Sequence, residues 1–426
     1  MTTINAQAVH VQPSVHVVIV GHVDHGKSTL VGRLLCDTGS VPVSRCEAVR
    51  SVCESSGKHF EYAFLLDALE EERDQGITID TMQVKFRSAL REYVIIDAPG
   101  HKEFLKNMVT GAASAEAAVL LIDAAEGIQE QSRRHGFLLH LLGIRQIIVI
   151  INKMDLVDYS RDVFNRLSRD YQAFLSKLCL APLAVIPVVA REGFNITTRS
   201  GPMDWYAGPS FLEALDSLSA RRSRSELPLR LPVQDVYKFD TRRIIAGRVG
   251  SGKVADEDTI LFSPSNHSAV VKSIERWSSS RVGPAKAGES IGLTLTEQLF
   301  VERGQIVSHP NRSPLVSSQF QAEVFWLGER HLVRGKDYIL KLATQEAKAQ
   351  VSSIDEVVDA VTLETVAGQH EVARNEVAKI TLSLDRPVAF DLFGEFEETG
   401  RFVLVDGFDV AGGGIILAAV PPGYII

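Results

Sequence analysis

Eight residues near the N-terminus, Gly21-His22-Val23-Asp24-His25-Gly26-Lys27-Ser28, spell G-x-x-x-x-G-K-S. No other stretch constrains the fold as strongly. The apolar run at 15–20 reads as a buried strand, and residues 29–36 read as a helix. Strand, glycine loop and helix in that order are the context in which this motif cradles phosphate. The glycines let the backbone curl, its N–H groups converge, and the helix N-terminus adds positive potential. Lys27 is placed to reach the β- and γ-phosphates. The Ser28 hydroxyl is a candidate Mg²⁺ ligand, and Thr29 completes the cradle.

The rest of the chain is expected to build a doubly wound α/β domain with a mostly parallel sheet over residues 15–220, a P-loop domain. Further buried strands are expected at 93–96, 118–123, 146–151 and 184–189, because these runs are apolar and β-branched. Helical patterns at 103–111, 129–142 and 161–178 separate them. A polar tail covers 1–14 and a Ser/Arg-rich linker covers 221–232. Short β-type runs punctuated by Gly, Pro, Asn and Asp then suggest two antiparallel β-barrels, at 233–315 and 316–420. A second G-x-x-x-x-G-K at 247–253 is followed by Val254, which has no hydroxyl for Mg²⁺. It sits between strand patterns and reads as a β-turn.

Composition narrows the class. The 426 residues carry a net charge of −8, which argues against a protein built mainly to grip nucleic acid. The four cysteines form no C-x-x-C pair and are expected to be free thiols. The N-terminal tail lacks a signal-peptide core, and no apolar run approaches the ~18 residues of a membrane span. A cytoplasmic protein without membrane contact is expected.

Ligands of such sheets bind beyond the carboxyl ends of the strands. Asp97-Ala98-Pro99-Gly100 closes one strand. Asp97 there can hold Mg²⁺ through water, and the Gly100 N–H can meet the γ-phosphate. Asn152-Lys153-Met154-Asp155 closes another. A carboxylate placed like Asp155 accepts from both guanine N1–H and the 2-amino group, donors that adenine lacks. Lys153 can lay its alkyl stem over the base. Val189, Ala190 and Arg191 follow the last strand, where the Ala190 N–H can reach guanine O6. Thr78, in Gly76-Ile77-Thr78-Ile79, is a candidate second Mg²⁺ ligand from a loop that orders around the γ-phosphate. His101 either orients the attacking water or is an ordinary surface histidine. Asp24 either binds a monovalent cation or stabilises its loop.

Together these stretches resemble the five G-motifs of the translation-factor class of GTPases, and Asp-Ala-Pro-Gly-His at 97–101 and Gly-Ile-Thr-Ile at 76–79 are typical of it. The resemblance covers residues 15–416 and implies one GTP-binding domain followed by two barrels, with GTP and Mg²⁺ as ligands. It also implies Lys27, Thr78 and His101 as the catalytic set. The last G-motif usually begins with serine; here it is Val189, which removes the hydroxyl that stiffens that loop.

Within the class, residues 64–80, the Arg133-Arg134-His135 helix, residues 152–159, Pro232-Val233-Gln234-Asp235-Val236 and the Ala411-to-Ile416 ending are similar to the GTP-binding large subunit of bacterial sulfate adenylyltransferase. That resemblance implies a partner, the small catalytic subunit, which makes adenylyl sulfate and pyrophosphate from ATP and sulfate. GTP hydrolysis on the large subunit is coupled to that step, so adenylyl-transfer residues are expected on the partner. Some members add a C-terminal kinase; no second phosphate loop follows the last barrel here, so none is expected. The alternative is an elongation factor of the Tu type carrying aminoacyl-tRNA. Gly-His-Val-Asp-His-Gly-Lys favours it, because the sulfate subunit more often has serine and aspartate where this chain has His22 and His25.

Overall fold

Runs of aliphatic residues form a six-stranded sheet in the order β2-β3-β1-β4-β5-β6. The strands are β1 (Gln12–Gly21), β2 (Met82–Arg87), β3 (Arg91–Asp97), β4 (Ala117–Asp123), β5 (Gln146–Asn152) and β6 (Pro182–Pro187). The computed structural model describes residues 12–22, 24–42, 44, 46–48, 51, 62, 82–97, 115–219, 224–239, 242–276, 283–359, 362–366 and 369–420. Every residue of β4 is buried. β1, β3, β4, β5 and β6 pair in parallel. Strands covered on both faces have no polar side to present, which is why they read as unbroken apolar runs.

β2 was not among the expected strands. It pairs antiparallel with β3 at the sheet edge. Val84 and Phe86 are buried while Gln83, Lys85 and Arg87 are exposed. An edge strand with one wet face alternates in this way and leaves a weak signal over six residues. β6 ends at Pro187, two residues before the expected 189, because Val189 turns back to bridge Phe194.

Described helices pack against this sheet. α1 (Lys27–Asp37) buries Leu30, Val31, Leu34 and Leu35. In α2 (Glu130–Leu141), Phe137, Leu138 and Leu141 turn inward. α3 (Arg161–Lys177) is capped by the Ser160 side chain accepting from the Val163 N–H. It buries Phe164, Leu167, Tyr171, Phe174 and Leu175, the three-and-four spacing of one helix face. α4 (Phe211–Asp216), which the pattern reading missed, is held by a reciprocal Ser210–Glu213 capping box. The expected helix at 103–111 lies outside the described residues.

The chain divides into two units, Met1–Ala220 and Arg221–Ile426. The second unit holds two antiparallel barrels. The first closes in the order Thr259–Ser263, His267–Glu275, Ser290–Leu295, Arg242–Arg248, Leu231–Phe239, Ile306–Ser308. Its core includes Leu231, Ile260, Phe262 and Leu293. The other is a ring of six strands closed by pairing Asp337–Leu342 with Gln345–Asp359. From Gln345 to Val351 buried and exposed residues alternate strictly. The Gly-x-x-x-x-Gly-Lys stretch at 247–253 joins Arg242–Arg248 to the short strand Lys253–Val254, with Gly252 at φ +74.

The stretch expected as a linker, 221–232, is structured from Arg224 onward. A 3₁₀ turn covers Arg224–Glu226, and the first barrel strand starts at Leu231. Arg230 is buried and binds Asp391 with two parallel hydrogen bonds, each 2.8 Å. It also donates to the Leu229 and Arg312 carbonyls, and Thr399 donates to Asp391. A Ser/Arg-rich composition gave no hint of this, because an arginine paired with a carboxylate 161 residues away leaves no local pattern.

Candidate functional site

The phosphate loop joins β1 to α1. Gly26 stands at φ +88, a left-handed conformation that favours glycine. A Cβ there would lie 2.5 Å from Asn152 Nδ2, so a side chain is excluded twice over. Gly26 is also the N-cap of α1, and the first turn carries no acidic residue to offset its positive end. Lys27, Ser28 and Thr29 open the helix half-buried. The Lys27 ammonium donates to the carbonyls of Gly21 at 2.8 Å and His22 at 2.9 Å, which fixes its charge inside the loop. Asp24 is exposed with φ +65.

His25 is fully buried. Its Nδ1 lies 3.1 Å from the Leu121 carbonyl and its Nε2 3.3 Å from Glu126 Oε2. The imidazole is therefore occupied behind the loop, and only the backbone of His25 is left to serve a phosphate. Burial holds its pKa below the usual histidine value, against the opposing pull of Leu121 and Glu126. His135 of α2 is also buried, and burial together with the nearby charges of Lys27, His22 and His25 pushes its pKa down to about 3.

Asn152 ends β5 and is buried. Its Nδ2 donates to the His25 carbonyl at 2.9 Å, and its Oδ1 accepts from the Ala190 N–H at 3.0 Å. One side chain thus ties the phosphate loop to the loop after β6. Lys153 follows at φ +59, and its ammonium meets Asp123 Oδ2 at 2.8 Å. Asp123 is buried at the end of β4 and also accepts from the Ala125 and Glu126 N–H groups at 2.8 and 3.2 Å. Burial would raise this carboxyl, but Lys153 and the two N–H groups outweigh it and keep the pKa below the usual carboxylate range. Asp155 is exposed on the 3₁₀ turn Met154–Val157.

The loop after β6 is held by its own backbone rather than by a serine. The Val189 carbonyl accepts from the N–H groups of Glu192, Gly193 and Phe194 at 3.1, 2.9 and 3.2 Å. The Val189 side chain is buried with Ala124, Ile151 and Met154. Asn195 donates to the Pro187 carbonyl and accepts from the Ser200 N–H. Arg33 of α1 reaches the Arg191 carbonyl at 3.1 Å.

Asp97 is the last residue of β3, opposite Ile19 of β1, so its backbone sits at the carboxyl edge of the sheet. Val23, Thr78, Gly100 and His101 lie outside the described residues. Sequence reasoning missed Asp123, Arg33, Asn195 and His135 as supports of the site. Asp123 had a usable signal, a carboxylate at the carboxyl end of a buried parallel strand. The donor set fits a nucleotide: oriented N–H groups at a helix N-terminus, a fixed ammonium, a serine hydroxyl, and an exposed carboxylate beside an anchored lysine stem.

Comparison with known proteins gives the chain its relatives. Residues 12–221 match the family model for the elongation factor Tu GTP binding domain, and residues 319–417 match the GTP-eEF1A C-terminal domain-like model. Sulfate adenylyltransferase subunit 1 of Aeromonas hydrophila is 37% identical over 91% of this chain and 82% of its own length. The corresponding subunit of Aeromonas salmonicida is 36% identical over 91% of this chain and 82% of its own. The bifunctional enzyme NodQ of Rhizobium sp. strain N33 is 38% identical over 93% of this chain, which spans 62% of NodQ.

Proposed function

The chain belongs to the family of sulfate adenylyltransferase subunit 1, within the elongation-factor-Tu class of GTP-binding proteins, and from that premise we propose how it works. It binds GTP with Mg²⁺ and hydrolyses it in a complex with a small catalytic subunit. That partner forms adenylyl sulfate and pyrophosphate from ATP and sulfate. The reading rests most on Asn152, whose two hydrogen bonds tie the phosphate loop to the loop after β6 that would meet guanine.

In this reading, residues 21–29 hold the phosphates, and Lys27 sets a positive charge against the transferring phosphoryl group. Ser28, Thr78 and Asp97 are the protein side of the Mg²⁺ site, where the ion would offset developing phosphate charge. The Gly100 N–H meets the γ-phosphate and His101 orients the water. Asp155 selects guanine, Lys153 covers the base from its anchor on Asp123, and the Val189–Ala190–Arg191 loop flanks the base; the Ala190 N–H expected at O6 is held by Asn152 instead. Coupling requires the partner to bind the GTP and GDP forms with different affinities; equal affinity would shift nothing.

The test is GTP hydrolysis by the purified chain with the small subunit from the same source, with ATP and sulfate added together or singly omitted. Hydrolysis that rises only with the full mixture, with adenylyl sulfate exceeding its GTP-free level, supports the reading. The Gly-His-Val-Asp-His-Gly-Lys loop favours a second one, a translation factor. Stimulation by ribosomes and aminoacyl-tRNA, with no effect of the small subunit, would establish that instead.

A further inference from the structure

The geometry points to a binding site for a divalent transition-metal ion of the zinc class, formed by His22, His25 and Glu126 beside the phosphate loop. One donor atom from each of these side chains lies within 4.8 Å of the other two. His22 and His25 come from one turn of the loop, with ring centroids 5.2 Å apart. Glu126 comes from the loop after β4. Two imidazoles and one carboxylate form the three-ligand set that zinc takes when a fourth position stays open.

Three observations bear on the fit. Donors in a tetrahedral shell with metal–ligand distances of about 2.0–2.1 Å stand about 3.3–3.4 Å apart. His25 Nε2 and Glu126 Oε2 are 3.3 Å apart. Second, the Leu121 carbonyl can only accept, so Nδ1 of His25 is the donor there. Ligating histidines are oriented in this way, with the second ring nitrogen donating to a backbone carbonyl. Third, the other ring nitrogen, Nε2, faces a carboxylate oxygen of Glu126. A cation placed between them, a proton or a metal ion, serves both groups. The His25 ring is fully buried, so water does not separate them from the ring side.

His22 and His25 lie within the loop assigned above to the phosphates, so the site is tested in the nucleotide-free chain without the partner subunit. The described thiols supply the competing explanation for any zinc uptake: Cys36 and Cys46 have sulfur atoms 2.9 Å apart. The experiment is therefore zinc titration of the full nucleotide-free chain in excess Mg²⁺, comparing wild type, Glu126→Gln and the double variant Cys36→Ser/Cys46→Ser. Zinc X-ray absorption then reports the bound atoms. The expected result is one stoichiometric site with only nitrogen and oxygen neighbours. Glu126→Gln should weaken it by at least about 10-fold, and the double serine variant should leave it unchanged. The metal-free unfolding midpoint of Glu126→Gln should equal that of wild type, which separates lost ligation from lost folding. His22→Asn gives a second ligand deletion with the same expectation for binding. Sulfur in the shell, zinc affinity unaltered in Glu126→Gln and His22→Asn, or no stoichiometric uptake would overturn the site.

Discussion

Replacing Asn152 with alanine removes both bonds that join the phosphate loop to the loop after β6. The His25 carbonyl loses its donor at 2.9 Å and the Ala190 N–H loses its acceptor at 3.0 Å. Asn152, His25 and Ala190 are each no more than 2% exposed, so water does not readily replace either partner. Leaving one buried polar group unsatisfied costs about 1–3 kcal/mol. Two such losses at the lower end give about 2 kcal/mol; where the loops leave their places to recover these bonds, a ligand that needs both in place binds up to about 30-fold more weakly. The assay has two arms. Hydrogen exchange of the nucleotide-free chain should show faster exchange of the Ala190 amide in Asn152→Ala, because its acceptor is gone. Guanine nucleotide binding by calorimetry should show the weakened affinity. Asn152→Asp separates the two bonds: it keeps an acceptor for Ala190 but sets a carboxylate against the His25 carbonyl. Its Ala190 amide should stay protected while nucleotide affinity still falls. An unchanged Ala190 exchange rate in Asn152→Ala, with affinity within about threefold of wild type, would refute the bridging role.

Four further outcomes are expected. Lys27→Ala should lower GTP turnover by at least about 10²-fold, since it deletes a fixed charge held against the transferring group; single-turnover hydrolysis at wild-type rate would remove Lys27 from the site. Asp155→Asn should move preference from GTP toward XTP, read by competition between the two nucleotides; unchanged competition would exclude Asp155 as the guanine acceptor. Arg230→Ala should destabilise the barrel unit by about 3–5 kcal/mol, because it strands the Asp391 carboxylate in a buried position. The double variant Arg230→Met/Asp391→Leu should cost less than Asp391's partner loss alone, measured by denaturant unfolding. Finally, Asp123 has a folded pKa below its unfolded value of about 3.9, so its contribution is complete above that pH and fades as pH falls through the folded pKa. Thermal unfolding scanned from neutral to acid pH should show that loss, and Asp123→Asn should flatten it.

Much of the α/β unit was legible before any coordinates, and for local reasons. The phosphate loop, the four parallel strands beside β1 and the Asn-Lys-x-Asp turn are contiguous stretches whose chemistry or periodicity is written within ten residues. β2 was missed because a half-exposed edge strand of six residues carries little apolar signal. The stretch at 221–232 was misread because its one informative residue, Arg230, depends on Asp391 for its meaning. Val189 was read as the loss of a stiffening hydroxyl. In the structure three N–H groups bond the Val189 carbonyl, a backbone group that no side-chain motif encodes.

What the sequence alone supplied is therefore the set of groups expected to meet a nucleotide, because motif chemistry depends on neighbours along the chain. It also determined the order of an α/β unit followed by β-rich segments, because hydrophobic period depends on local backbone geometry. Tertiary structure alone decided which of those groups hold each other. Asn152 reaches His25 across 127 residues, Lys153 finds Asp123, and the His25 ring meets Leu121 and Glu126. Such pairings follow from how the strands are ordered in the sheet, and strand order brings together residues that are remote in the chain.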